Sequence, residues 1–481
     1  MIDLNRRDML KLSGAAVGGL ALGNVISGCS SSLSASTNPA QTNTLFDNLP
    51  VFPLGEKLAS DEMRITFLGT SCIPRLSQEC NSIFVEVGSG DQFVFDCGTG
   101  IAAKYNALGI PMSKMDKIFL THLHADHMSD LTHIYCFGPA EDRKSPLYVW
   151  GPGNSGFTYI SPEGQIRGPY NDGLTAFCQH FREVMRWHTE SFSFGATEFI
   201  NALTNPPSKW GIPIPSPVGT DDPNDGYALY PIELDWTLYG KNSGDNICYN
   251  NTTTGVTISH FPAIHCRRGS ISYKLQWNGM SMIFSGDTKP NYNMIHQASG
   301  VDVLIHEMVV PADVWTMKNL GITDPSQVDP AIWQQAYNYA KSVQDSSHTP
   351  QGAFGYLLSQ INPNPGIAIA THFQAADDTM ASATTSVRNH YPTGAFTFAC
   401  DLMVFNVSKT QIRQRRAVVS DFAFYPVGKM QSVYPPLYWA WDDPNSPNRQ
   451  RVSDPLAQID TSDAVPQKDQ NGQNNWDPSG Y

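Results

Sequence analysis

From Met63 onward apolar residues alternate with polar ones or run in short blocks, each closed by glycine or polar residues, a pattern that predicts many strands. MRITFLGTS reads as a strand entering a glycine turn, SIFVEVG and DQFVFDCG as a hairpin, and KIFLTHLH as a fourth strand. Between about 154 and 250 the rhythm fades. Proline, glycine, tryptophan and tyrosine accumulate there, and GLTAFCQHFREVMRW carries apolar residues at helical spacing, so the segment reads as an aromatic-rich insertion. Strand patterns return in TTTGVTISHFPAIH, SISYKLQW, SMIFSGD and DVLIHE. Helical patterns follow over 330–343 and 351–361, then strands in GIAIATHF and GAFTFACDLMVFNV. Strand-then-helix order thus occurs in both halves, without a repeat of fixed period. Residues 409–481 form an extension with a strand-like beginning and an irregular polar end rich in proline and asparagine.

The first 28 residues have a basic start, a weakly apolar glycine-rich stretch too short to span a bilayer comfortably, and a small-residue ending, the layout of an export signal. NRRDMLK resembles the twin-arginine consensus and ISGC a lipobox, which implies lipid attachment to the thiol of Cys29. An ordinary cleaved signal with a cysteine by chance is the simpler alternative. Residues 29–60 then read as a polar tether, and the expected location is the periplasm or cell envelope. The twin-arginine route carries folded proteins, so a metal can be loaded before export, where its supply is controlled. Eight further cysteines fit an oxidising compartment. Cys72 and Cys80 lie close enough for a small loop bridge, although spacing assigns no pairing.

A chain of 481 residues with 41% apolar and 16% charged residues can bury a substantial core, as one large domain or two ordinary ones. Its net charge of −13 argues against nucleic acid as a partner, because phosphate binding is driven by lysine and arginine. A small-molecule substrate fits better. The basic run RQRR at 413–416 reads as a solvated face.

Candidate chemistry is concentrated in THLHADHMSDL, where three of the 13 histidines and an aspartate fall within six residues. Strand alternation places His122 and His124 on one face, with Asp126 and His127 in the turn that follows. One tetrahedral ion cannot readily use four donors in so cramped a segment. The segment therefore suits two neighbouring metals, His122 and His124 on the first, Asp126 and His127 on the second. Further donors stand at other strand ends: His260 and His265 in HFPAIHC, Asp287 in SMIFSGDTKP and His372 in GIAIATHF. Asp287 is the natural carboxylate to bridge two ions about 3.5 to 4 Å apart. A donor set of histidines with two carboxylates suits zinc first, and manganese or iron as well.

HxHxDH, with FLGTS at 67–71, FDCGTG at 95–100, FPAIH at 261–265, SGDT and THF, resembles the metallo-β-lactamase superfamily, in particular its ribonuclease Z and arylsulfatase-like branch. The resemblance implies an α/β fold, an αββα sandwich, over residues 61–408 with the insertion as a gap. It implies that His122, His124 and His265 hold one metal and Asp126, His127 and His372 the other, with Asp287 bridging; His265 is chosen over His260 because FPAIH matches the ligand-bearing strand end. IHEM at 305–308 resembles the HEAT motif of this branch and SHT at 347–349 its HST motif. That implies that Glu307 and His348 help to protonate a leaving group, an acid being wanted because an alkoxide leaves poorly. FDCGTG has Thr99 where the ribonucleases usually carry glutamate, the usual serine and arginine do not follow THF, and no Gly/Pro-rich basic arm is visible.

The function these features imply is an exported metallo-hydrolase of an ester, phosphodiester or sulfate ester first. The nucleophile is a hydroxide shared by two divalent cations, and Asp126 orients it or takes its proton. A lactone or carboxylic ester hydrolase of the same fold is an alternative, and a metal- or ligand-binding lipoprotein without turnover is a third reading. Trp150, Trp187, Trp210, Tyr227 and Trp236, in or beside the insertion, either form a lid that stacks a ring of the substrate or pack a small core of their own.

Overall fold

In a computed structural model the chain is described at residue 46 and over residues 48–143, 145–191, 207–220, 225–238 and 246–420. The export signal, Cys29, the tether before residue 46 and the extension beyond residue 420 lie outside the described residues.

Two sheets face each other. The nine-stranded sheet runs, in spatial order, Val51–Phe52, Ile412–Ala417, Met403–Val407, Met63–Gly69, Ser82–Val87, Gln92–Phe95, Lys117–Phe119, Leu147–Pro152 and Leu229–Leu234. The seven-stranded sheet runs Ile247–Asn251, Val256–Pro262, Ile271–Trp277, Met280–Phe284, Val303–Glu307, Ile367–Thr371 and Phe396–Phe398. In each sheet antiparallel neighbours give way to a parallel series. The series begins at Gln92–Phe95 in the first sheet and at Met280–Phe284 in the second. Strands such as Met63–Gly69 and Val303–Glu307 are buried along their whole length. Continuous apolar runs are the consequence, because both faces of each strand are covered.

The larger core lies between the sheets, where Phe95 and Phe119 meet Tyr273 and the Trp150 ring stacks on Phe119 at 4.4 Å. A second core lies on the outer face of the nine-stranded sheet and includes residues of Ile101–Leu108, Leu131–Phe137 and Leu174–Val184. Helices Tyr292–Gln297, Gln351–Gln360 and Asp377–Arg388 contribute Met294, Phe354, Leu357 and Val387 to the first core. The layers are α, β, β and α, as expected.

Several local expectations need correction. The ladder extends beyond both anticipated boundaries, since Val51–Phe52 pairs in parallel with Ile412–Ala417. The arginines of RQRR do not form a solvated face. Arg415 makes a two-pronged ion pair with Glu56 at 2.7 Å, Arg413 pairs with Glu62 at 2.6 Å, and Arg415 and Arg64 both lie over the Phe52 ring. The Arg415 pair is two-pronged because a fixed guanidinium fork can satisfy both oxygens of a carboxylate. The segment read as an insertion closes both sheets, giving Leu229–Leu234 to one edge and Ile247–Asn251 to the other. Of the five aromatics expected to build a lid or a small core, three do something else. Trp150, Trp210 and Tyr227 are buried in the main cores, and the Trp150 indole donates to the Cys248 carbonyl across the sheets at 2.9 Å. Trp236 donates to the Asn154 carbonyl, and Trp187 is exposed. Cys72, Cys80 and the other six described cysteines are free thiols.

Candidate metal centre

The parallel strands of both sheets end on the same side, and the predicted donors sit just past those ends. The strand containing Lys117 stops at Phe119, and Leu120 to His124, with a bend at Thr121 and extended angles at His124, lead to the helical turn Ala125–Met128. The rings of His122 and His124 meet, as expected, although no ladder surrounds them, and Asp126 and His127 follow on the turn. From the other sheet come Asp287 after Met280–Phe284, Glu307 at the end of Val303–Glu307, and His372 after Ile367–Thr371.

Three overlapping donor groups result among the described residues, each with its atoms within 4.8 Å of one another: first His122, His124 and His265, second Asp126, His127, Asp287 and His372, and beside these Asp287, Glu307, His348 and His372. In the first, His122 Nε2 and His265 Nε2 approach His124 Nδ1 to 2.9 and 3.3 Å. In the second, Asp126 Oδ2 lies 3.3 Å from His372 Nε2 and 3.4 Å from His127 Nε2, and Asp287 lies 3.2 Å from His127 and 3.3 Å from His372. The Asp287 Oδ2 atom is also 3.8 Å from His265 and 4.0 Å from His122, so one carboxylate faces the first two groups. His260 points elsewhere. It is buried, with Nε2 3.0 Å from the Asp235 carbonyl, and takes no place in these groups.

The surroundings orient the imidazoles. His127 Nδ1 lies 2.7 Å from Asp96, whose carboxylate also accepts from the Thr121 backbone and hydroxyl at 2.8 Å. His265 Nδ1 lies 2.8 Å from the Ser347 carbonyl, and His122 Nδ1 lies 3.1 Å from the Thr121 hydroxyl. A ring that donates through Nδ1 turns its Nε2 lone pair inward, the form that binds a metal. Asp96 and His372 both adopt left-handed backbone angles, φ 54° and φ 60°, an uncommon conformation for residues with a side chain. The sequence reading missed Asp96, although FDCG sits at a strand end; its role depends on His127, which only the fold brings near.

Burial works against protonation of His127, yet Asp287 and Asp96 raise it well above the usual imidazole range. Burial likewise opposes the ionised form of Asp126, but the imidazoles of His127 and His372 facing it hold its carboxyl well below the usual range. His122 and His265 go the other way: burial keeps them neutral, His265 at about 4. His127 Nε2 and Asp287 Oδ1 are buried and face each other at 3.2 Å without the geometry of a hydrogen bond to any partner. Buried carboxylates whose nearby counter-charges are imidazoles, with orphaned donor atoms aimed inward, fit divalent cations held by nitrogen and oxygen.

Beside the groups, His348 Nδ1 is 3.0 Å from Glu307 Oε2 and 3.8 Å from Asp287. Against the cost of its own burial, Glu307 raises His348 to about 9, and burial raises Glu307, so the pair retains a proton at neutral pH. The Thr288 backbone N–H donates to Glu307 at 2.5 Å and fixes the carboxylate.

The fold and this centre define a metallo-β-lactamase-type sandwich. Residues 63–150 match the family model described as Anti-Pycsar protein Apyc1. In sequence the chain is similar to Ribonuclease BN of Proteus mirabilis, 23% identical over 261 residues that cover 52% of this chain and 78% of that protein. It is also similar to Ribonuclease Z of Mycolicibacterium gilvum, 26% identical over 251 residues, 51% of this chain and 69% of the relative. Ribonuclease Z of Methanothermobacter thermautotrophicus is 36% identical, but over 91 residues only, 19% of this chain and 29% of that protein. Among solved structures, the metallo-beta-lactamase fold protein YhfI from Bacillus subtilis aligns with TM-score 0.43 and 13% identity, covering 72% of this chain and 100% of that one. The short form of human tRNase Z aligns with TM-score 0.40 and 17% identity, covering 71% and 98%.

Proposed function

We propose that the protein is an exported metal-dependent hydrolase of a small anionic ester, a phosphodiester first and a sulfate ester second. The observation that carries this reading is the single carboxylate of Asp287 facing the first two donor groups, with the Glu307–His348 pair beside it. His122, His124 and His265 would hold one divalent cation, and Asp126, His127 and His372 the other, with Asp287 shared. Bound there, such ions acidify water and offset the charge that develops on a substrate's oxygens.

The chain's own groups do the rest. Asp126, kept ionised by its two histidines, orients the attacking water and takes its proton. His348, held by Glu307, delivers a proton to the departing oxygen, so that an alcohol leaves in place of an alkoxide. The phosphodiester is favoured by the ribonuclease names of the relatives; RNA itself is disfavoured by the net charge of −13. Export on a twin-arginine signal and anchoring through a lipid on Cys29 belong to the same proposal and concern residues outside those described.

The test is an assay of purified protein on chromogenic bis-phosphodiester, aryl sulfate and lactone substrates, with and without chelator. The expected result is chelator-sensitive release from the phosphodiester fastest. A lactone turned over fastest would move the function to carboxylic esters, and no turnover of any substrate by metal-loaded protein would remove the hydrolase.

A further inference from the structure

Two chambers meet at the centre, and they differ in chemistry. One is a cavity of about 350 Å³ on the His348 side, walled by Ile73, Val309, Val310, Trp315 and Val343. Trp315 comes from helix Ala312–Leu320, and Val343 from helix Pro330–Ser347, whose C-cap is His348. The proton donor and Val343 of the apolar wall therefore sit on one helix. The other chamber, about 120 Å³, opens on the side of His122 and is lined by Ser155, Arg267, Arg268 and Ser270. His124 and His265 border both. Arg267 is occupied: it pairs with Asp172 and lies over the Phe157 ring at 4.9 Å. Arg268 is exposed and makes no ion pair among the described residues.

We infer that the substrate is a two-ended ester, with an apolar, aryl-sized leaving group seated against Trp315 and a retained half that carries a second anionic group for Arg268. This rests on the hydrolase reading above and names the substrate class of that site. The direction follows from placement. The group that accepts a proton from His348 must lie in the chamber His348 borders, whose wall away from the donor groups is formed by Ile73, Val309, Val310, Trp315 and Val343; a charge carried against that wall loses hydration without a counter-charge beside it. The retained half extends over His124 and His265 toward the guanidinium, whose planar fork suits a carboxylate or phosphate. In the reaction, water oxygen bonds to phosphorus and the bond from phosphorus to the aryl oxygen breaks. Its electron pair stays on that oxygen, which takes the proton from His348, while the proton of the water goes to Asp126.

Three phosphodiesters decide the matter: methyl para-nitrophenyl phosphate, its analogue with a carboxymethyl group in place of methyl, and its analogue with a meta-carboxylate on the nitrophenyl ring. For the metal-loaded wild type, kcat/KM rises about tenfold when the carboxylate is on the retained half and falls about tenfold when it is on the leaving half. Arg268→Gln erases the first difference and keeps the second. A separate arm needs no turnover: calorimetric affinity for benzylphosphonate, whose C–P bond does not hydrolyse, drops about tenfold in Trp315→Ala with the thermal midpoint retained. Preference for a carboxylate on the leaving half, an unchanged ratio in Arg268→Gln, or equal benzylphosphonate affinity in Trp315→Ala would each overturn the assignment. If no diester turns over, the hydrolase reading fails by itself, and the calorimetry still decides the apolar chamber.

Discussion

His127 stands between Asp96 on its Nδ1 side and Asp287 on its Nε2 side, at 2.7 and 3.2 Å. Asp96 touches none of the predicted metal ligands except this one ring, so its contribution is orientation. Asp96→Asn keeps the size and weakens the acceptor that fixes the tautomer. Chelator competition should show metal affinity lowered about 10- to 100-fold, with the fold intact. Unchanged affinity would mean that the ring is held by its other neighbours. Asp401 offers a second test at this scale, away from the ligands. It is buried, accepts from the Thr70 hydroxyl at 2.8 Å and the Glu79 N–H at 2.8 Å, and burial pushes its carboxyl up to about 6. Its proton leaves the unfolded chain near pH 4 and the folded chain near pH 6, so folding becomes less favourable as pH rises through that window and levels off above it. Compared with Asp401→Asn, the wild type should lose on the order of 2 to 3 kcal/mol between pH 4 and 7 in denaturant titrations. A constant difference between the two proteins would show that Asp401 titrates normally.

At the scale of elements, the centre depends on how closely the loop after one sheet approaches the loop after the other. Gly286 lies between the strand Met280–Phe284 and Asp287, with φ 57°, and a Cβ added there would fall 2.5 Å from the Thr121 Cβ. Thr121 in turn holds Asp96 and precedes His122. Gly286→Ala should therefore cost roughly 2 kcal/mol or more of stability, from a side chain at positive φ and from displacement of Thr121. It should also displace His122 and lower metal content. Calorimetry and elemental analysis measure the two losses. A variant with wild-type midpoint and metal content would show that the contact relaxes freely. Most elements were legible in the sequence because each strand carries its own apolar run and terminal turn residues, as MRITFLGTS, SMIFSGD and GIAIATHF do. The edge strands Leu229–Leu234 and Ile247–Asn251 were not, because YPIEL and ICYNN are short, contain proline or asparagine and resemble loop sequence.

At the scale of the whole molecule, ligands from two sheets converge, so any cation bound there ties the halves together. The nine-stranded sheet contributes His122, His124, Asp126 and His127, and the seven-stranded sheet His265, Asp287 and His372. A ligand that binds only the folded chain stabilises it by mass action, about 2.7 kcal/mol at a hundred times its Kd. Removing metal by chelator should lower the midpoint of thermal unfolding, and added zinc should restore it in a concentration-dependent way. A midpoint indifferent to both would argue that the cluster is held by its hydrogen bonds alone.

The division between what sequence and structure decide follows from distance along the chain. Residue type, strand-end position and short-range spacing are local, so the donors of THLHADH, the strand before Asp287 and the strand before His372 were readable directly. Convergence is not local: His372 meets Asp126 across 246 residues, and only the packing of two sheets selects that pairing. The residue pattern favoured packing or surface exposure for His260 and a ligand role for His265, and the fold turns the first into the core beside Asp235 and the second toward His124. The same packing made Asp96 a partner of His127, tied RQRR to Glu56 and Glu62, and put Trp315 against the proton donor. Side chains that act through neighbours distant in sequence carry no periodic signal, because their role is set by three-dimensional contact alone.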